Sequence, residues 1–348
     1  MRLYRTTGLP ILSYLLEQVY FISDGVEWTK LLKVLGYSDI YHTFEFTSLD
    51  SERMGGVANL IIVNMPTGII GLPVIFRKIS NEIRYIDAVS VYGYNGVLTS
   101  SSITPEDFAS GIKKIKTALV ERDCVSLFNR ESNFTRYRLP ESTETGKVLA
   151  VDLMQNPEEY EKSLAEGHRQ EIKALRKLNY TVVKSTDLKL IQEFHEVYEQ
   201  TMLRRGAKTN YFFSAKYFES VLKIHSSIPD LRAVYYEGKM VAGAIFITQG
   251  DHMYYMFSGS ILGVSHYPAM KLILDQVIRE NLNNGKKLLH LGGGLGGKQD
   301  SLYQFKYGFG KVILPFYTTQ WILMPEVYNR LSAHVSTETS FFPKYRSA

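Results

Sequence analysis

One order of strands, turns and helices runs twice along this chain, and that duplication restricts its possible folds more than any single motif does. In the first half, residues 57–63 and 69–76 read as strands around a Pro66-Thr67-Gly68 turn, and 83–88 as a third strand. The third strand leads into Tyr92-Gly93-Tyr94-Asn95-Gly96. Thr104-Pro105-Glu106 then opens a helix to about Arg122, with Thr104 as cap and Pro105 at the first helical position. Residues 124–128 and 147–153 are further strands. The second half has a hairpin, 231–236 and 240–248 about Glu237-Gly238, a strand at 253–257, and the loop Ser258-Gly259-Ser260. A helix over 268–284, stopped by Gly285, and strands at 288–291 and 312–317 follow. Helices are also expected at 9–20, 28–35, 158–179 and 187–205, with a further one capped by Ser214 and running to Ile224. At 348 residues the chain exceeds one typical core. The expected fold is mixed α/β in two structurally similar domains, 1–153 and 154–330, with a C-terminal tail over 331–348; after Pro325 a short helix followed by a frayed end is expected.

Composition removes several classes of function. A hydrophobic fraction of 45% and a charged fraction of 22% describe a folded globular chain, not a disordered one. The single cysteine, Cys124, excludes intramolecular disulfides and argues against a cysteine-based metal site. The longest apolar stretch, 59–76, is broken by Asn64, Pro66, Thr67 and Gly68, and falls short of the roughly 20 apolar residues a membrane helix needs. Near the N-terminus, Arg2 and Arg5 precede a short apolar run, but Pro10 and Glu17 interrupt it and no A-x-A site follows, so a cytoplasmic protein is expected. A net charge of +5 is compatible with a polyanionic partner without requiring one. No histidine falls in H-E-x-x-H spacing and no G-x-x-x-x-G-K-[ST] loop is present, so neither a metal enzyme nor an ATP-driven ligase is expected.

The stretch 287–311, KLLHLGGGLGGKQDSLYQFKYGFGK, reads as strand, glycine turn and short helix. Such a junction presents backbone N–H groups and a helix N-terminus, which stabilise anions and developing negative charge. Gly292, Gly294 and Gly297 formally satisfy G-x-G-x-x-G, but a dinucleotide site needs an acidic residue about 20 positions on, and Thr318 to Gln320 stand there. A permissive loop is the plainer alternative. Lys306 follows, flanked in its helix by Phe305 and Phe309.

Several of these segments together resemble a known family. Tyr254-Tyr255-Met256-Phe257-Ser258-Gly259-Ser260, the Tyr267-Pro268 helix start, Leu291-Gly292-Gly293, Asp300-Ser301-Leu302, and Phe305-Lys306 followed by Phe309 are similar to the C-terminal signature of the Fem transferases. Residues 202–205, Tyr217-Phe218, and 87–98 with its YGYNG core also resemble family positions. The resemblance implies two tandem GNAT-like domains. It also implies transfer of an amino acid from aminoacyl-tRNA to an amine of a peptidoglycan precursor, with no bound cofactor. Two departures fall on the acceptor side: Phe212, Phe213 and Ser214 stand where a basic residue is expected, and Asn129 where an acidic one is.

On this reading Lys306 stabilises the tetrahedral oxyanion of an acyl transfer. Tyr217 and Tyr255 position the acceptor or carry its proton, the alternative being that both are aromatic core residues. Trp28, Lys30, Tyr92, Gly93, Tyr94, Arg204, Ser258, Gly292, Gly293, Asp300, Ser301 and Phe305 are the candidate substrate-binding residues, with Trp28 and Lys30 lining an N-domain cleft. Arg169, Lys173, Arg176 and Lys177 form a basic stripe, either a phosphate contact or an ordinary solvated face. The expected partners are aminoacyl-tRNA and an amine-bearing acceptor, nucleotide-linked or lipid-linked, which leaves room for peripheral membrane contact. The alternative activity is acyl-CoA-dependent N-acyl transfer to a sugar or small amine, although residues 259–266 lack the Q/R-x-x-G-x-G/A pattern. A non-enzymatic binding module is the third reading.

Overall fold

A computed structural model describes residues 15–37, 39–80, 82–264, 266–335 and 339–347. The chain divides into two units: one ends at Thr145 and resumes at Phe316, and the other is Gly146–Pro315.

The first unit contains β1 (Val19–Ile22), α1 (Gly25–Leu35), α2 (Phe44–Arg53), β2 (Gly56–Met65), β3 (Gly68–Lys78), β4 (Ile86–Val89), β5 (Leu98–Thr99), α3 (Pro105–Glu121) and β6 (Cys124–Arg130). The second holds most of β7 (Thr143–Asp152), then α4 (Pro157–Ser163), α5 (Glu166–Leu175), β8 (Thr181–Lys184), α6 (Leu188–Arg204), α7 (Ala215–Leu222) and β9 (Ile228–Tyr236). It continues with β10 (Lys239–Gln249), β11 (His252–Ser260), α8 (Met270–Asn281), β12 (Leu288–Gly292) and α9 (Ser301–Tyr307). The later residues of β13 (Val312–Ile322), and α10 (Pro325–Ser332), return to the first unit.

The duplication read from sequence is present in the pairing. In the first unit β1, β2, β3 and β4 are successively antiparallel, β4 and β6 are parallel, and β13 is antiparallel to β6. In the second, β8, β9, β10 and β11 are successively antiparallel, β11 and β12 are parallel, and β7 is antiparallel to β12. Each parallel pair is bridged by one helix, α3 or α8, as a parallel crossover requires. The capping signals act as read: Thr104 accepts from Asp107 N and Ser214 from Tyr217 N.

Four expectations change. Residues 9–14 lie outside the described residues, and 19–22 is the strand β1, not the end of a helix. The helix expected over 158–179 is two helices, because Leu164 turns into the core at 2% exposure with extended φ/ψ. Residues 316–330 and the tail group with the first unit, unlike the division at 153 and 330. The tail does not simply fray: Phe342 and Tyr345 pack against Tyr328. No helix among the described residues is long and apolar enough to cross a membrane.

Candidate active site

β11 and β12 are in parallel register only at His252↔Leu288, Met253↔Leu289 and Tyr254↔His290. Beyond those pairs β11 continues to Ser260 beside β10, while β12 ends at Gly292. The strands therefore part at their C-terminal ends, the place where α/β sheets present backbone groups to ligands.

The chain leaves β12 through Gly292, whose φ of 76° is the left-handed region open to glycine. A Cβ on Gly294 would lie 2.1 Å from the Lys298 carbonyl oxygen and 2.3 Å from Asp300 Oδ1, so the loop closes only with glycine there. Asp300 fixes both sides of the turn. Its Oδ2 accepts from Leu295 N at 3.0 Å, and its Oδ1 accepts from Tyr303 N at 3.0 Å as the cap of α9.

Lys306 sits in the last turn of α9. Tyr303 and Phe309 belong to the core of this unit, and the same face carries the Lys306 side chain inward to 8% exposure. Its Nζ donates to the Gly293 carbonyl at 2.7 Å and lies 6.0 Å from the centroid of the Tyr255 ring. Burial pushes its ammonium down from 10.5 to about 7; Asp300 opposes that shift and Arg205 adds to it. Burial likewise raises the Tyr255 phenol to about 12, offset by a hydrogen bond with Ser258 and by Arg205. His290, also buried, accepts from Gly292 N through Nδ1 at 3.2 Å. Its imidazole is pushed down to about 3, first by burial and then by Lys306 and His252.

A bulge decides which β11 side chains join this group. Ile245 pairs with Phe257 but Phe246 pairs with Tyr255, leaving Met256 as the extra residue. Tyr255 and Phe257 thereby face opposite sides. Tyr255 packs with Phe246 on the core that α5 and α8 cover, at 5.4 Å between ring centroids. Phe257 packs with Tyr198, Phe213, Tyr217 and Phe218 of α6, α7 and the segment joining them.

Of the residues singled out from sequence, Lys306, Tyr255, Ser258, Gly292, Gly293 and Asp300 are thus assembled at one junction. Ser301 is exposed at the start of α9, and Phe305 contributes packing and its backbone carbonyl to the other end. Tyr217 belongs to the aromatic cluster on the opposite face of the sheet from Tyr255, so the two tyrosines do not form one acceptor pocket. Arg204 is exposed and donates to the Ser260 carbonyl at 2.9 Å, which places it at the end of β11.

Trp28 does not line a cleft: it is fully buried, its Nε1 donating to the His42 carbonyl at 2.8 Å. Lys30 is exposed. Tyr92 N donates to Asp50 at 2.6 Å, Gly93 lies where a Cβ would strike the Tyr41 ring at 2.0 Å, and Tyr94 packs edge-on against Tyr41 and Phe316. The basic stripe is partly used internally, since Arg176 pairs with the buried Asp275 and Arg169 donates to the Leu164 carbonyl. Lys173 and Lys177 remain on the solvent side.

Sequence reading missed His290, His168 and Lys271. Arg205 lay in the family-like segment 202–205, although only Arg204 was chosen as a candidate; the three histidine and lysine residues carried no spacing signal, because their neighbours are distant in the chain.

Residues 162–306 match the acetyltransferase (GNAT) domain family. No curated protein matches the chain in sequence. Among solved structures, the crystal structure of FemX aligns with 90% of this chain and 99% of its own at 14% identity, with a TM-score of 0.66. The C-terminal domain of a provisionally named lysylphosphatidylglycerol synthetase from Agrobacterium fabrum aligns with 85% of this chain and 92% of its own, at 12% identity and a TM-score of 0.52. A conserved protein of unknown function from Bacteroides thetaiotaomicron aligns with 86% and 99%, at 11% identity and a TM-score of 0.54. The chain thus has a FemX-like fold of two GNAT-like domains, the second of which contains the stretch that matches the acetyltransferase (GNAT) domain family.

Proposed function

We propose that this protein transfers an aminoacyl group from aminoacyl-tRNA to an amine of a cell-wall precursor or related metabolite. The observation that carries the proposal is a buried lysine, Lys306, with an ammonium near neutral proton affinity at the parting of β11 and β12. In such a transfer the amine nitrogen attacks the ester carbonyl, a tetrahedral oxyanion forms, and its collapse expels the ribose oxygen. The leaving oxygen takes up the proton that the amine gives away. A cation held in a dry site stabilises the oxyanion by several kcal/mol. Lys306 is held there by the Gly293 carbonyl, and its lowered proton affinity also suits it to exchange a proton during the step. Tyr255 forms the adjacent wall, Asp300 and the glycine turn set the geometry, and Arg204 and Arg205 put positive charge beside it, as a phosphate-rich donor requires.

The Fem resemblance and the fold support an aminoacyl donor. The name of the Agrobacterium fabrum protein denotes a lysyl group attached to phosphatidylglycerol. We further propose the cytoplasm as the site of action, where charged tRNA is available.

The test is incubation with tRNA carrying a radiolabelled amino acid and an amine acceptor. Acceptor-dependent loss of label from tRNA, abolished by Lys306→Met, is expected. Loss that ignores the acceptor, or no loss, defeats the proposal. The GNAT domain match favours a second reading, acyl-CoA-dependent N-acylation. Saturable CoA binding in calorimetry, without label transfer from tRNA, would establish that reading instead.

A further inference from the structure

The C-terminal end of α9, one residue from Lys306, is fastened by a different helix. In an unbroken helix the Phe305 carbonyl would accept from the N–H four residues on. Here Phe309 N donates to the Lys306 carbonyl at 3.0 Å and Gly310 N donates to the same oxygen at 3.1 Å, which leaves the Phe305 oxygen outside the helical pattern. His168, in the first turn of α5, takes it: Nε2 lies 2.9 Å from that oxygen. Ala165 N, at the start of α5, donates to the Gly308 carbonyl at 2.9 Å. The approach is so close that a Cβ on Gly308 would lie 2.3 Å from His168 Nε2.

The imidazole is itself oriented. Its Nδ1 lies 3.2 Å from Lys271 Nζ of α8, which pairs with Glu171 Oε2 of α5 at 2.8 Å. An ammonium only donates, so Nδ1 accepts and Nε2 carries the proton that it donates to Phe305. Lys271 is 4% exposed, which keeps this arrangement out of competition with water.

We propose that His168, with its tautomer set by the Lys271–Glu171 pair, is a positioning residue that fixes the end of α9 and thereby the seat of the Lys306 ammonium on the Gly293 carbonyl. The inference rests on the reading of Lys306 as the catalytic cation. The charged and titratable groups around Lys306 are Asp300, Arg205, Tyr255 and His290; around His168 they are Lys271, Glu171 and Lys311.

The experiment is trace acetylation of the full-length protein with acetic anhydride across a range of pH, with modification at Lys306 followed by mass spectrometry. In the unmodified sequence Lys306 is expected to label with a midpoint near 7. In His168→Leu, release of the Phe305 carbonyl lets water reach the ammonium, and the midpoint is expected to rise by about one unit or more, with labelling at neutral pH slower by roughly fivefold or more. His168→Gln, whose amide N–H still donates to Phe305, is expected to stay near the parent. Lys271→Met, which keeps the imidazole but frees its tautomer, is expected to move the midpoint in the same direction, and serves if the leucine variant does not fold. A folded His168→Leu or Lys271→Met protein with the parent midpoint overturns the inference alone. A parent midpoint in the ordinary lysine range overturns the reading of Lys306 and this inference with it.

Discussion

Lys306 is a residue whose chemistry depends on what surrounds it. Its folded proton affinity is near 7 against 10.5 in the unfolded chain, so between those values the unfolded chain holds a proton that the folded one has lost. Folding stability from this group is therefore full above about 10.5, declines as pH falls through that window, and stays at its lowest below about 7. Lys306→Met is expected to be more stable than the parent at pH 6 by on the order of a few kcal/mol. The difference should shrink as pH rises, which denaturant titrations at several pH values would read. The same variant is expected to lose transfer activity by roughly 100-fold or more. Asp300 raises the Lys306 affinity while also capping α9. Asp300→Asn should lower the Lys306 labelling midpoint; it keeps one acceptor oxygen and loses the other of the two backbone bonds, so it should cost less by denaturation than Asp300→Ala, which loses both and should cost about 1 kcal/mol or more. The sequence displayed the lysine and its capping aspartate. It did not display the burial that gives the lysine its proton affinity, because Gly293, Tyr255 and Arg205 reach it only through folding.

At the scale of elements, local signals placed most strands and helices, since periodicity, turn glycines and caps act within a few residues. α2, β8 and the strand β1 were not read, and two features beside the site also escaped them. The bulge at Met256 separates Tyr255 from Phe257, and nothing in the tyrosine-rich run marks the extra residue. The break at Leu164 divides a pattern with continuous helical spacing, because burying Leu164 and docking α5 on α9 outweigh helix continuity. Close packing at this junction gives a direct prediction for Gly308→Ala. The added methyl would meet the His168 ring at 2.3 to 2.6 Å, so the ring must leave Phe305 or α9 must move. A cost of about 1–3 kcal/mol is expected in denaturant unfolding, together with a raised Lys306 midpoint. Gly259→Ala tests the opposite side of β11, since its Cβ would lie 2.8 Å from backbone atoms of Tyr198. A similar loss of stability is expected there.

Across the whole molecule, both units bury histidines that burial holds in the neutral form: His42 in the first, and His290, pushed from 6.5 to about 3, in the second. A depressed folded affinity means that the unfolded chain takes up protons first as pH falls. Stability from His290 is thus complete above about 6.5 and is lost progressively toward about 3. Thermal melting is expected to fall across that window, and a His290 variant retaining the fold should flatten the slope. The C-terminal tail offers a separate test. In the first unit, buried Asp87 receives Arg77 at 2.9 Å and Tyr345 at 3.3 Å, and pairs with Arg346. Deleting residues 344–348 is expected to destabilise the protein by about 2 kcal/mol, measured by chemical denaturation, because a buried carboxylate loses one of its cations.

By itself the sequence determined the mixed α/β class, the duplicated order of elements and the glycine junction with its lysine, since each is written in residues close together in the chain. Tertiary structure alone decided that β13 joins β6 and β7 joins β12, that Tyr217 and Tyr255 lie on opposite faces, and that Trp28 is core. Those outcomes depend on pairings across long stretches of chain, where a strand's partner is selected by the edge it can satisfy and the surface it can bury. No local pattern of residues encodes that choice.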